Sequence, residues 1–509
     1  MPIKYITDLI TYPEWAGPRY RKLDILERFL CGTIYDHIVN TFHREYNGQL
    51  NYIPLRDRGP SLLYGIADIV VDRSTSKLFG DKHWPKFHTS DNEITRHLQE
   101  LALKSKLQGV MSEAAYWGSL GSVFVYFAIV EGKLIYEVWN SKYCTPYYDR
   151  QRELEEVLIL TPLTGYDILA LGYSVNDEDL EAMFFLPKMI TKTEEIRYMP
   201  IKCDEYTSPK DLAKNDKDSS KHDLGFVPGV WIKNFVRTAG LDAPATFGHP
   251  SVLSMSIEID YQLSQCGRGL KYNSDPQLLV KEPPADPTEG GQLGLFPTQS
   301  TMVRSTSNTL FVGPEGDAAL LEISGEGQKA VLEYVKQIRT YALEMARASR
   351  KDPDHSYGNM SGRAMEILEE DLISLASDLR LSYGEEGLKP LLIKILRAQK
   401  KLKLIDFDVD AEDFSIDLMW GNWFDPTPSD LVQLEQALTN AVTDRRMFMS
   451  EARMLTASMW GLGHGNPEEI DKEWPLPEMP ELGSIMKPSN AEKPPGVKPD
   501  EGDSRRSGN

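Results

Sequence analysis

Four aspartates carry the most chemically suggestive spacing in the chain: Asp406, Asp408, Asp410 and Asp417 stand at the first, third, fifth and twelfth positions of a calcium loop. Such a loop needs glycine at its sixth position for the sharp turn, and Ala411 stands there instead. The stretch also closes on Asp in place of a bidentate Glu, and strand-like alternation begins inside it, so it reads as an acidic, solvated loop and no metal is assigned. Acidic residues such as Asp406, Asp408 and Asp410 with a divalent ion define the enzymatic alternative, a metal-dependent nuclease. Gly290, Gly291 and Gly294 have no basic residue after them to meet a phosphate and read as a flexible loop. No GxxxxGK[ST], strand-following GxGxxG, HExxH or GxSxG motif occurs, so the expectation is a protein with no catalytic residue and no cofactor. His222, His355 and His464 lie in loop-like sequence and read as surface residues. Arg347, Arg350 and Lys351, with His355 close behind, sit where a helical pattern meets a loop. Cations there suit the partial negative charge of a helix C-terminus, and they equally suit phosphate; three charges alone leave both readings open.

Acidic residues outnumber basic ones by 76 to 56, a formal charge of −20, which excludes a protein that grips nucleic acid with its whole surface. With 509 residues the chain exceeds one ordinary core, so several subdomains are expected. Cys31, Cys144, Cys203 and Cys266 are far apart with no CxxC pair, which fits a reduced, intracellular protein. No signal-peptide pattern opens the sequence and no apolar run approaches the ~18 residues of a membrane span, so a soluble chain is expected.

These residues must be positioned by elements whose periodicity changes along the chain. From Pro18 to about Gly118 apolar residues recur three and four apart, at Leu26, Phe29, Leu30, Ile34 and Ile38 and again at Leu62, Leu63, Ile66, Ile69 and Val70, which predicts helix. Ser90, Asp91 and Asn92 with Glu93 predict an N-cap for one helix running through Val110 to Ala115. The period then becomes two, predicting a hairpin of Val123–Ile129 and Leu134–Val138 about Glu131-Gly132-Lys133. Further strands are predicted at 156–160, 182–186, 195–199 and 227–234, with 206–223 as a mobile polar loop. Val252, Met255, Ile259, Leu263, Cys266 and Leu270 predict a long helix over 251–273, and Val331, Val335, Ile338, Ala342 and Met345 predict a second from about Glu326, with a narrow seam suited to a neighbouring helix. Between them Pro283-Pro284, Pro287, Gly290-Gly291 and β-like runs at 277–280 and 309–312 predict a compact, non-helical insert. Ser361 is read as the N-cap of a very long helix reaching Leu402, kinked near Gly384, Gly387 and Pro390. A strand at 414–419, helices at 429–441 and 450–460, and a disordered tail over the last 35 residues or so complete the expectation.

Gly225-Phe226-Val227-Pro228 leads through Trp231-Ile232-Lys233-Asn234 to Pro250-Ser251, which opens a helix containing Ile257-Glu258-Ile259-Asp260-Tyr261. Met360-Ser361-Gly362-Arg363-Ala364-Met365 and Asp425-Pro426-Thr427-Pro428-Ser429-Asp430 follow in order, and Ala114-Ala115-Tyr116-Trp117-Gly118 precedes them before a hydrophobic hairpin. This series resembles the portal proteins of tailed bacteriophages, in the manner of the SPP1-type branch. The resemblance implies an α+β, mainly helical portal fold with wing, stem, clip and crown regions, assembled as a dodecameric ring at the capsid vertex of a virion after assembly in the host cytoplasm. Residues 1–250 would be wing, 251–273 and 325–348 stem helices, 274–324 clip, 349–360 tunnel loop, 361–403 the long kinked wing helix, 404–427 a wing strand, 428–474 crown and 475–509 a disordered tail. It implies a channel for packaging and ejecting double-stranded DNA, with Arg347, Arg350, Lys351 and His355 at the DNA-facing loop. The clip, with Pro283, Pro284, Leu293, Leu295 and Phe296, would meet the terminase large subunit and later a head-completion or adaptor protein, and major capsid and scaffolding proteins would be further partners. No membrane is involved under this reading. A structural virion adaptor without a channel is the non-enzymatic alternative.

Overall fold

Pro18 opens α1 (Pro18–Leu30) at its first turn, where a missing N–H has no intrahelical partner to lose, and Leu23, Leu26, Phe29 and Leu30 form its buried face. The structure is a computed structural model and describes residues 7–236, 240–273, 277–281, 317–321, 326–349, 362–409, 414–424, 428–444 and 448–459. The chain divides into two units, Met1–Asp425 and Pro426–Asn509.

The helical rhythm expected through Ile34 and Ile38 stops at Cys31, and the next helix, α2 (Ile66–Phe79), begins after Leu62 and Leu63, which are half exposed. Gly32 and Gly65 take left-handed φ values of 72° and 66°, which end one helix and precede the other. The intervening loop is organised by Arg58, which is fully buried and donates from Nε and Nη2 to Ile53 O at 2.9 and 2.7 Å and from Nη1 to Phe42 O at 3.3 Å. A parallel pair of two-residue strands, β1 (Asn40–Thr41) and β2 (Arg58–Gly59), closes it. After β3 (Lys86–His88), Asp91 caps α3 (Asn92–Lys104) by accepting Glu93 N–H at 2.7 Å, as the sequence predicts. The helix expected to continue to Ala115 breaks in two, because Lys106 turns left-handed (φ 53°) before α4 (Leu107–Gly118).

Strands β4 (Ser122–Val130) and β5 (Lys133–Asn140) form the predicted hairpin, with Glu131 and Gly132 both at positive φ as a two-residue turn of this hand requires. A second antiparallel sheet contains β6 (Cys144–Tyr148), β7 (Leu154–Thr164), β8 (Met183–Thr191), β9 (Glu194–Arg197), β10 (Ile201–Lys202) and β11 (Ser220–Lys221), in the order β11-β9-β8-β7-β6 with β10 also on β8. The short α5 (Gly165–Ala170) bridges β7 and β8 behind a Thr164–Asp167 capping box. Strand β12 (Gly229–Lys233) returns to β4 with Trp231 opposite Phe124. Phe124, Tyr126 and Trp231 of the first sheet then share a core with Val157, Ile159 and Ile190 of the second. The polar stretch 206–223, expected to be mobile, is strapped to this sheet instead: Met199 N donates to Ala213 O and Asn215 N to Arg197 O, both at 2.8 Å, before β11 pairs with β9.

The two long helices are α6 (Pro250–Asn273) and α7 (Glu326–Met345), and the C-terminal turns of the first lie beside the first turns of the second, with Cys266 Sγ 3.9 Å from Gln328 O. They therefore run antiparallel. Neither seam is as narrow as the periodicity implies. Helix α6 buries Ser256, Ile257, Asp260, Tyr261 and Ser264 beyond its apolar stripe, while α7 exposes Met345 and buries Val335, Ala342 and Leu343. Between them β13 (Gln277–Lys281) pairs antiparallel with β14 (Asp317–Leu321). The expected second strand at 309–312, and the clip residues Pro283, Pro284, Leu293, Leu295 and Phe296, lie outside the described residues.

The helix expected to be continuous from Ser361 to Leu402 is four pieces: α8 (Gly362–Leu368), α9 (Glu370–Leu379), a π-helical stretch Arg380–Leu388 and α10 (Lys389–Lys401). Ser361 lies outside the described residues. The widened turn, rather than a proline kink, absorbs the glycines: a Cβ on Gly384 would come within 2.7 Å of the Trp420 ring, and one on Gly387 within 2.7 Å of Ile232. Pro390 sits harmlessly in the first turn of α10. Strand β15 (Asp417–Met419), shorter than predicted, pairs antiparallel with β3. One core joins α3, α4, β4, α9 and α10, and another joins α1, α2, α6 and α7. In the second unit, α11 (Pro428–Thr443) and α12 (Met449–Met459) lie where the sequence places helices. Among the described residues no helix is long and apolar enough to cross a membrane.

Candidate functional site

The feature with the strongest positional logic is the pair of anchors that bracket residues 350–361. Leaving α7, the chain turns at Arg347, which takes a left-handed φ of 55°. Its N–H reaches Glu344 O at 2.9 Å and the Ala348 N–H reaches Leu343 O at 2.8 Å, the two bonds of a Schellman cap. Glycine is the usual residue at that position, so an arginine there is held by other contacts. Arg347 Nη1 donates to Asp378 Oδ2 at 2.8 Å, and the guanidinium lies 5.9 Å from the centre of the Phe235 ring.

The next two carbonyls are captured from across the fold. Arg73 Nη1 donates to Ala348 O at 2.9 Å and to Ser349 O at 2.7 Å, while its Nη2 faces Glu369 Oε1 at 3.8 Å. One helical turn further along α2, Lys77 Nζ binds Glu369 Oε2 at 3.0 Å and lies 3.9 Å from the centre of the Phe424 ring. Glu369 is buried at the break between α8 and α9. Arg73 and Lys77, four residues apart on one helix face, therefore hold both the exit from α7 and the entry to α9. A buried carboxylate with two cations is stable as an ion triad; removing one partner leaves charge uncompensated.

Of the residues predicted to face DNA, Arg347 is thus half exposed but engaged by Asp378, which favours the helix-terminus role over a freely presented cation. Arg350, Lys351 and His355 lie outside the described residues. Sequence reasoning does not bring Arg73, Lys77 and Glu369 together. The available signal was the spacing of Arg73 and Lys77, four residues apart on one helix.

The other sequence candidates separate. Asp408 is 80% exposed and pairs with Lys400 at 3.3 Å, Asp410 is outside the described residues, and Asp417 starts β15. Among the described residues no group of three or more His, Cys, Asp or Glu is placed to hold a metal ion. His222 is half-buried rather than at the surface, accepts Leu224 N–H at Nδ1 (3.3 Å), and burial pushes its pKa down. It lines a cavity of about 630 Å³ beside Tyr126, Glu137, Glu195 and Arg197. Burial alone would raise the Glu195 carboxyl, but Lys188, the Tyr126 hydroxyl and Arg197 outweigh it and hold it below its ordinary value. Lys188 thus pairs with both Glu137 and Glu195, and Arg197 with Glu195.

No protein-family model matches the chain. No curated protein matches it. A solved structure described as "Virion of native gene transfer agent (GTA) particle" contains a chain similar to this one over 77% of this chain and 90% of that chain, with 12% identity and a TM-score of 0.35. That score is too low to define a shared fold.

Proposed function

We propose that this chain is a portal subunit, one of a ring of copies around a channel for double-stranded DNA, and that it has no catalytic role of its own. The observation that carries the reading is the order α6, β13–β14, α7, anchored loop, then α8 to α10. Two antiparallel helices extend to a paired strand base on one side, and at the other end α2 holds both the chain leaving α7 at Ala348 and Ser349 and Glu369 at the start of α9. A loop beside moving DNA must not tear its flanks loose, and the Arg73–Glu369–Lys77 triad supplies that restraint. Residues 274–324 would be the clip that meets terminase and then a head-completion protein, and 428–474 the crown. The acidic excess of each copy, repeated around the ring, keeps a polyanion from adhering as it slides, within the short reach that salt allows. Packaging energy then comes from a separate ATPase.

Negative-stain microscopy of the purified full chain tests this reading. Rings with a central hole wide enough for duplex DNA are the expected result. A population of monomers, or filaments without a hole, would overturn it in favour of an adaptor. Cleavage of DNA with magnesium or manganese, lost on Asp408→Ala, would overturn it in favour of a nuclease.

A further inference from the structure

The sheet of β12, β4 and β5 ends unevenly. Strand β12 pairs with β4 only as far as Gly229 opposite Tyr126, and one last bond, from Phe127 N–H to Pro228 O at 2.9 Å, closes the ladder. Backbone groups alternate along a strand, so the N–H and C=O of Ile129 point to the same side as the Phe127 N–H, away from β5. Among the described residues they meet no backbone partner there. The segment that precedes β12 is tied elsewhere. His222 and Asp223 donate their N–H groups to Thr193 O at 2.9 and 2.8 Å, and Gly225 N–H reaches Lys192 O at 2.8 Å. From α10, Lys401 Nζ donates to Leu224 O at 3.1 Å, and Lys394 Nζ to Val227 O at 3.3 Å and Gly229 O at 2.7 Å. The rung at Ile129 is therefore left open by contacts that hold the neighbouring segment away.

This rung opens into the cavity of about 630 Å³ that His222 lines. The cavity lies across the edge of β4 and not over one face, since Glu195 and Arg197 of β9 bound it on one side and Leu402 at the end of α10 on the other. Ile129 packs toward the core shared with α10, and Ala128 toward the core shared with the second sheet. The lining is accessible: Ile129 is partly exposed, and Val130, Ile135 and Leu402 are each about half exposed. An ordinary sheet edge meets open water, whereas this one is walled on both sides. We propose that the cavity receives a short extended segment of another protein, which adds antiparallel to β4 at Ile129 where β12 does not reach. The open rung selects a peptide, because a backbone supplies a donor and an acceptor at ladder spacing. Alternation then sets its side chains, an apolar residue opposite Ile129 meeting Leu402 and polar neighbours meeting Arg197 and His222. On the rim, Glu131 and Asp218 form no ion pair among the described residues and outnumber Lys221, while Arg197 is held by Glu195 at 3.2 Å, so basic ends suit the guest. The proposal stands with or without the ring.

The test uses the full chain and a fluorescein-labelled peptide, Lys-Val-Thr-Val-Thr-Val-Lys. Saturable binding in fluorescence anisotropy is expected, with slower hydrogen exchange in fragments covering 127–130. Methylating the valine nitrogens removes the ladder donor and should weaken binding about tenfold or more. Leu402→Trp, a change at a half-exposed helix end, fills the cavity and should weaken it by a similar factor. Absence of binding below about 1 mM overturns the proposal, as does an affinity unchanged by Leu402→Trp. Equal affinity for the methylated peptide overturns strand addition in favour of a pocket for side chains alone. Protection of 127–130 that grows with protein concentration without peptide, and is lost in Leu402→Trp, overturns it in favour of a second copy of this chain.

Discussion

Asp260 is a carboxyl in the interior of α6, 4% exposed, accepting Tyr64 N–H at 2.7 Å and the Tyr35 hydroxyl at 2.9 Å with no cation beside it. Burial dominates and pushes its pKa up to about 6 from 3.8. The folded state therefore binds this proton more tightly than the unfolded chain. Its contribution to stability is fully present below the unfolded value, falls as pH rises from about 4 to 6, and costs about 3 kcal/mol once the group is ionised. Asparagine keeps an acceptor for Tyr64 and removes the titration. Melts of Asp260→Asn against wild type should therefore show the variant gaining relative stability between pH 4 and 7; a constant difference would refute the assignment. Glu369 makes the opposite case, a buried carboxylate with two cations. Glu369→Ala strands Lys77 and Arg73 and should destabilise the fold by about 3 kcal/mol in denaturant unfolding. Limited proteolysis between 350 and 361 should quicken in the same variant, because α8, which follows that segment, loses its hold on α2 at Glu369.

The π-helical stretch decides the packing of the elements around it. Tyr383 is fully buried there, its hydroxyl donating to Asn234 Oδ1 at 3.2 Å, and α4 approaches so closely at Gly118 that a Cβ would collide with that hydroxyl. Gly384 and Gly387 similarly admit Trp420 and Ile232. A wide turn with glycines on the crowded side lets one helical run meet α4, β12 and the segment after β15 at once. Gly118→Ala should then cost about 2 kcal/mol by overpacking, read as a lower melting temperature. A neutral effect would show that Tyr383 is not the hinge of this packing. At α6 and α7 the pairing is more ordinary, and the strand pair between them defines where the insert begins and ends.

For the molecule as a whole, the proposed ring converts local features into a mechanical one. Helices α6 and α7 would line a passage, the insert beyond β13 and β14 would face partner proteins, and the α2 triad would keep the loop in place. Deleting residues 283–298 removes most of the proline- and glycine-rich insert while leaving both strands of the base. Ring formation should survive that deletion, and packaging or tail joining in a phage assembly assay should fall below detection. Normal packaging by the deletion would show that the insert has another role.

Periodicity alone determined the two long helices, the β4–β5 hairpin and the helices after Pro428, because each depends on contacts three, four or two residues apart. The Asp91 cap and the Glu131-Gly132 turn were legible for the same reason. Tertiary structure alone decided where the long runs break. Nothing in the apolar rhythm of 361–402 marks Glu369, yet the chain bends there because two cations on a helix some 290 residues earlier capture its carboxylate. Lys106 likewise interrupts a good helical pattern. The burial of Arg58 and the stacking of Arg380 between Trp420 and Trp423 join residues whose separation carries no period at all. The candidate site therefore stayed invisible while its outline was plain: local spacing writes the elements, and the charges that link them are set by packing.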